Sequence, residues 1–87
     1  MRADVLERVR AFVRRTFLYA QPDAQLPEEL LLLQGGVIDS MGVVELIEFI
    51  QAEFGIKIPD EDITEDHLGS LAAIADYVVS RRKVEAA

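Results

Sequence analysis

The sequence predicts an all-α fold: a small four-helix bundle, three longer helices and one short one, with a long first loop. Three observations predict it. Apolar residues recur at helical spacing in three separate stretches. Residues suited to starting and stopping helices punctuate those stretches, notably Asp39, Gly55 and the pair Gly69-Ser70. The only alternating segment, Ile56-Lys57-Ile58, is too short for more than an inward tuck of the chain.

Eighty-seven residues make one domain with one modest core. It is expected to span 1–87, with the core at about 4–82 and a short tail at 83–87. A hydrophobic content of 51% beside 29% charged residues is that of a globular chain, not a disordered one. There is no cysteine, which excludes a disulfide frame and a thiolate metal site. Any thiol chemistry would have to come from a cofactor. No apolar run approaches membrane-spanning length, and no signal-peptide core follows Met1-Arg2-Ala3-Asp4. A soluble cytoplasmic monomer is expected.

The net charge of −7 is unevenly spread. Residues 1–20 carry five Arg against Asp4 and Glu7, a net +3, while residues 21–80 carry thirteen acids against Lys57, a net −12. Such a surface repels nucleic acid and attracts basic partner surfaces in a salt-dependent way. An acidic surface kept only for solubility is the alternative.

The first helix is expected from Asp4 to about Tyr19. Asp4-x-x-Glu7 looks like a capping box, and Val5, Leu6, Val9, Phe12, Val13, Thr16 and Phe17 repeat at helical spacing. Arg8, Arg10, Arg14 and Arg15 leave a basic outer side, either a solvated face or a membrane-lying one. Gln21 to Ile38 is a long connection in which Pro27-Glu28-Glu29-Leu30 suits a short helical turn. Part of Leu30 to Leu33 must fold back over the core to anchor so long a loop. Gly35-Gly36 then permits unusual backbone angles, but the Gly-Lys-Ser/Thr end of a phosphate-cradling P-loop is missing.

The second helix is expected from Ser40 to about Phe54, with Leu46, Ile50 and Phe54 as its core stripe and Val43, Ile47 and Phe49 flanking. Asp39 is a good N-cap, because its carboxylate can accept from unpaired N–H groups of the first turn. That puts the Ser40 hydroxyl at the mouth of the helix, beside free donors and the positive end of the dipole. Such a place suits a phosphate ester. Nothing nearby would make Ser40 a nucleophile by itself, so the simplest reading is a serine to be modified. Gly55 stops the helix.

Pro59-Asp60 is expected to open a short third helix running to about Glu65. Five acids fall between Asp60 and Asp66, but the glycine and terminal glutamate of a calcium loop are out of place. His67 is the only histidine, with no second ligand for a metal and no local pairing with Ser40. After Gly69-Ser70, Leu71, Ile74, Ala75 and Val78 form the inward stripe of a last helix ending at Arg81-Arg82-Lys83.

Asp39-Ser40-Met41 resembles the Asp-Ser-Leu motif of acyl and peptidyl carrier proteins. The match continues through Val44-Glu45-Leu46, through Glu53-Phe54-Gly55-Ile56-Lys57-Ile58-Pro59-Asp60, and through the last helix at Leu71 to Val79. The resemblance implies an acyl-carrier-protein-like bundle with 4′-phosphopantetheine attached covalently to Ser40 and Asp39 as part of the recognised motif. It implies no catalytic residue and no metal. A phosphopantetheinyl transferase, an acyl- or aminoacyl-activating ligase and synthase or transferase enzymes would be the partners. They would dock beside the serine on Met41, Val44, Glu45 and Glu48; alternatively Met41 and Val44 belong to the core and the glutamates are merely solvated. Val43, Gln51 and Ala52 stand where fatty-acid carriers commonly have polar or acidic residues. A specialised polyketide, non-ribosomal peptide or modified-lipid pathway is therefore expected. A housekeeping fatty-acid carrier and an unmodified acidic adaptor domain are the alternatives.

Overall fold

Aliphatic side chains from four segments meet in one core. In the computed structural model, which describes the backbone of residues 2–21 and 23–86 and side chains through Arg82, the helices are α1 (Arg2–Phe17), α2 (Ser40–Phe54), α3 (Glu65–Leu68) and α4 (Leu71–Ala86). A single 3₁₀ turn, Asp60–Asp62, precedes α3. The described residues contain no strand, and none of their helices is long and apolar enough to cross a membrane. Val5, Val9 and Val13 of α1, Leu46 and Ile50 of α2, and Leu71, Ile74 and Val78 of α4 are buried together. Leu32 joins them from the long loop. Burying each such side chain contributes roughly 1.5–3 kcal/mol. The stripes expected for α2 and α4 are the ones buried, and α1 lies chiefly along α4.

The boundaries of α1 differ from expectation. It begins at Arg2, so Asp4 and Glu7 are not a capping box; they sit inside the helix and pair with Arg8 and Arg10. It ends at Phe17, leaving Tyr19 exposed and Leu18 tucked inward. Three arginines of its outer side are tied to other segments, while Arg15 is exposed as a solvated face would have it. Arg8 reaches Glu53 of α2 at 2.9 Å, Arg10 Nε donates to the Leu26 carbonyl at 3.3 Å, and Arg14 donates to the Ala24 carbonyl at 2.9 Å. Arg2 joins Asp76 of α4 to Glu28 of the loop, and the hydrogen bond its Nε donates to Asp76 Oδ1 is the first reason its guanidinium is held above its ordinary pKa.

Polar ties and buried leucines pin the loop. Leu26 and Leu32 are buried. Leu32 N–H donates to the Gly69 carbonyl at 2.9 Å, and the Leu32 carbonyl accepts from Val37 and Ile38 at 2.9 and 3.2 Å. Gly36 takes φ +76°, where a side chain would be strained. The expected helical turn at Pro27 is only a β-turn closed by Leu30 N–H to the Pro27 carbonyl.

The short helix lies later than expected. Pro59-Asp60 opens the 3₁₀ turn, and α3 starts only at Glu65, where Thr64 caps it by accepting from the His67 N–H. Asp62 is held elsewhere: Tyr77 of α4 donates to its Oδ2 at 2.7 Å. Tyr77→Phe keeps the buried ring and removes that donor. It should lower the free energy of unfolding in urea by about 1–2 kcal/mol with an unchanged slope. A loss below about 0.5 kcal/mol would show that water replaces the hydroxyl fully. The last helix is capped by Ser70, whose Oγ accepts from Ala73 N–H at 3.1 Å. It continues through Ala86, beyond the expected end at Lys83, and the side chain of Lys83 lies outside the described residues.

Candidate functional site

Asp39 sits in extended backbone (φ −111°, ψ −175°) immediately before α2, and its Oδ1 accepts from Gly42 N–H at 2.8 Å. Its carbonyl takes the first helical bond, from Val43 N–H at 3.1 Å. At the other end Gly55, at φ +64°, donates its N–H to the Gln51 carbonyl. Both ends of α2 thus fall where their local chemistry places them.

Ser40 is the first helical residue and is exposed. Helix geometry leaves the N–H groups of Ser40 and Met41 without an intrahelical acceptor. No acidic side chain occupies the first turn of the helix. The site therefore offers a hydroxyl, free donors and the positive end of a helix dipole together, an arrangement that stabilises an attached anion.

At about 100° per residue, Ser40, Met41, Val44, Glu45 and Glu48 share one arc of α2, opposite the stripe of Gly42, Leu46, Ile50 and Phe54. All five are exposed. Met41 is 76% exposed and Val44 53%, so the core alternative for these two is overturned. The reason is their position on the helix, since Leu46 and Ile50 already turn the other side inward. Both apolar side chains are therefore presented to solvent within the first turns of α2, beside Ser40.

Beside this arc opens an apolar pocket of about 120 Å³ between α2, the long loop and α3. Leu32, Ile38, Val43, Leu46, Ile63 and Leu68 are among its lining. Gln34 crosses from the loop to Glu65 of α3 at 2.9 Å. His67 lies elsewhere, with Nδ1 3.2 Å from both Thr64 Oγ1 and the Asp62 carbonyl and its ring against Tyr77.

Two residues that shape the site escaped the sequence reading. Gly42 is buried in the first turn, against the Phe17 ring. Its signal was a lone glycine within a helical pattern, which usually has a packing reason. Gln51, read only as a departure from the residues common in fatty-acid carriers, accepts Ile58 N–H at 2.9 Å through Oε1 and holds the returning chain.

A helical bundle that holds out a hydroxyl at the mouth of a capped helix has the form of a small carrier domain. A family model described as "Phosphopantetheine attachment site" matches residues 8–78. The chain is also 32% identical over 76 residues to the acyl carrier protein of Thermosynechococcus vestitus, covering 87% of this chain and 89% of that relative. The chain belongs to the acyl and peptidyl carrier protein family, whose members bear covalent 4′-phosphopantetheine.

Proposed function

We propose that Ser40 is the attachment point of the 4′-phosphopantetheine arm and that residues 1–87 form one carrier domain. The observation that carries this reading is the Asp39-capped start of α2, at which Ser40 is exposed. The residues fit the group. A phosphodiester on Ser40 Oγ meets the N–H groups of Ser40 and Met41 and the helix dipole, while the Asp39 carboxylate is engaged with Gly42 N–H.

In the attachment step Ser40 Oγ attacks the β-phosphorus of coenzyme A within a separate phosphopantetheinyl transferase. The new bond is the serine phosphodiester, adenosine 3′,5′-bisphosphate leaves, and the hydroxyl proton goes to a base of that enzyme. The bound arm supplies a thiol that holds an acyl or aminoacyl group as a thioester. Ser40 anchors, Asp39 fixes the turn, and the chain is a substrate and tether that catalyses no step itself.

Met41, Val44, Glu45 and Glu48 form the docking face for the transferase, an activating ligase and synthase or transferase enzymes. Their support is the shared exposed arc with Ser40. A specialised biosynthetic pathway is our reading of the departures on α2. Val43 lines the pocket and Gln51 is bonded to Ile58, so among the three departures only Ala52 alters the exposed face.

The test is mass. Incubation of the intact chain with coenzyme A and a broad-specificity phosphopantetheinyl transferase should add one phosphopantetheine to the wild type and none to Ser40→Ala. A wild type that gains nothing favours the adaptor alternative. Equal gain by Ser40→Ala would move the attachment to another residue.

A further inference from the structure

An exposed serine is a good substrate only if the turn bearing it is held in one place. We propose that Gly42 and Phe17 are positioning residues for the modification of Ser40, an inference that rests on the carrier reading above. A Cβ at Gly42 would lie 2.9 Å from Phe17 Cε1, 3.3 Å from Phe17 Cζ and 3.2 Å from Ile38 Cβ. The ring edge therefore rests on bare backbone in the first turn of α2.

The same residue is gripped from its other side, because its N–H is the donor that Asp39 Oδ1 accepts at 2.8 Å. Residues two apart on a helix point about 200° away from each other. Seating Gly42 inward against Phe17 thus turns Ser40 outward.

The ring is itself located. Phe17 meets Phe12 edge-on at 6.0 Å, and Phe12 stacks on Phe49 of α2 at 4.1 Å with 10° between planes. A line of aromatic contacts so joins the end of α1 to the middle and the start of α2. Alanine is the better helix former, so the missing Cβ has a packing cause and not a propensity one. Neither Gly42 nor Phe17 is among the exposed residues of the docking arc.

The experiment follows the steady-state kinetics of modification by the transferase, with coenzyme A saturating and the unmodified full chain as varied substrate. Gly42→Ala should keep its helical spectrum and cooperative unfolding while kcat falls about tenfold and KM changes less than about twofold, since the docking arc is untouched. Adding Phe17→Leu, which shortens the obstructing side chain, should return kcat to within about threefold of wild type. A wild-type kcat for Gly42→Ala, a fall that Phe17→Leu does not relieve, or a matching rise in KM would each overturn the proposal.

Should Gly42→Ala not fold, Phe17→Ala takes its place: kcat must fall at unchanged KM, and a wild-type kcat there overturns the proposal equally. A wild type that is never modified removes the carrier reading and this inference together. A modified wild type beside an unaffected Gly42→Ala removes this inference alone.

Discussion

Asp39→Ala should leave the protein helical and cooperatively folded while slowing modification of Ser40 by about tenfold or more. The side chain makes one cap bond, from Gly42 N–H at 2.8 Å, on an exposed residue. Losing such a cap costs about 1 kcal/mol. Fraying of the first turn by that amount can reduce the population of properly formed substrate by at most about fivefold. A larger kinetic defect means that the aspartate also positions the turn or is read by the transferase itself. Asp39→Asn separates the two roles, because asparagine caps about as well as aspartate but carries no charge. If it restores the stability of the cap and not the rate, the carboxylate is recognised; if Asp39→Ala is modified at the wild-type rate, the residue is only a cap.

Charge reversal on the exposed arc of α2 should slow loading by the partner ligase in a way that salt erases. Glu45→Lys and Glu48→Lys are expected to lower the rate about three- to tenfold at low ionic strength, since rim charges act mainly on association. Raising the salt shortens the screening length and should shrink the defect. Val44→Asp acts differently. It places a charge in the apolar centre, where truncating or desolvating a contact residue costs 2 kcal/mol or so, about thirtyfold, at any salt. Arg8 and Arg14 are unsuitable controls, because one bridges to Glu53 of α2 and the other tethers the loop at Ala24. Arg82→Ala on α4 is exposed and should leave loading unchanged. Intact loading in the α2 variants beside a crippled Arg82→Ala would place the partners on α4 instead.

What could be read without coordinates was what neighbouring residues decide among themselves. The bounds of α2 at Ser40 and Phe54 follow from a cap on each side, Asp39 and Gly55, whose partners lie within four residues. The inward stripes of α2 and α4 follow from periodicity, and the family motif sits at the better-determined of the two helix starts. The start of α3 was misplaced although its signal, Thr64 three residues before His67, is local; Pro59-Asp60 was the stronger-looking start, and it made only a 3₁₀ turn.

Contacts between residues distant in the chain belong to the tertiary structure alone. The arginines of α1 looked like a solvated face because nothing in their own helix shows that Leu26 and Leu32 draw the loop across the core. Once it is drawn there, the carbonyls of Ala24 and Leu26 come within reach of Arg14 and Arg10. Met41 and Val44 fitted core or surface equally on sequence grounds. The choice fell to Leu46, Ile50 and the Gly42–Phe17 contact, which fix the rotation of α2 about its axis. Rotation of a helix depends on which of its sides finds complementary neighbours, and those neighbours come from segments twenty or more residues away.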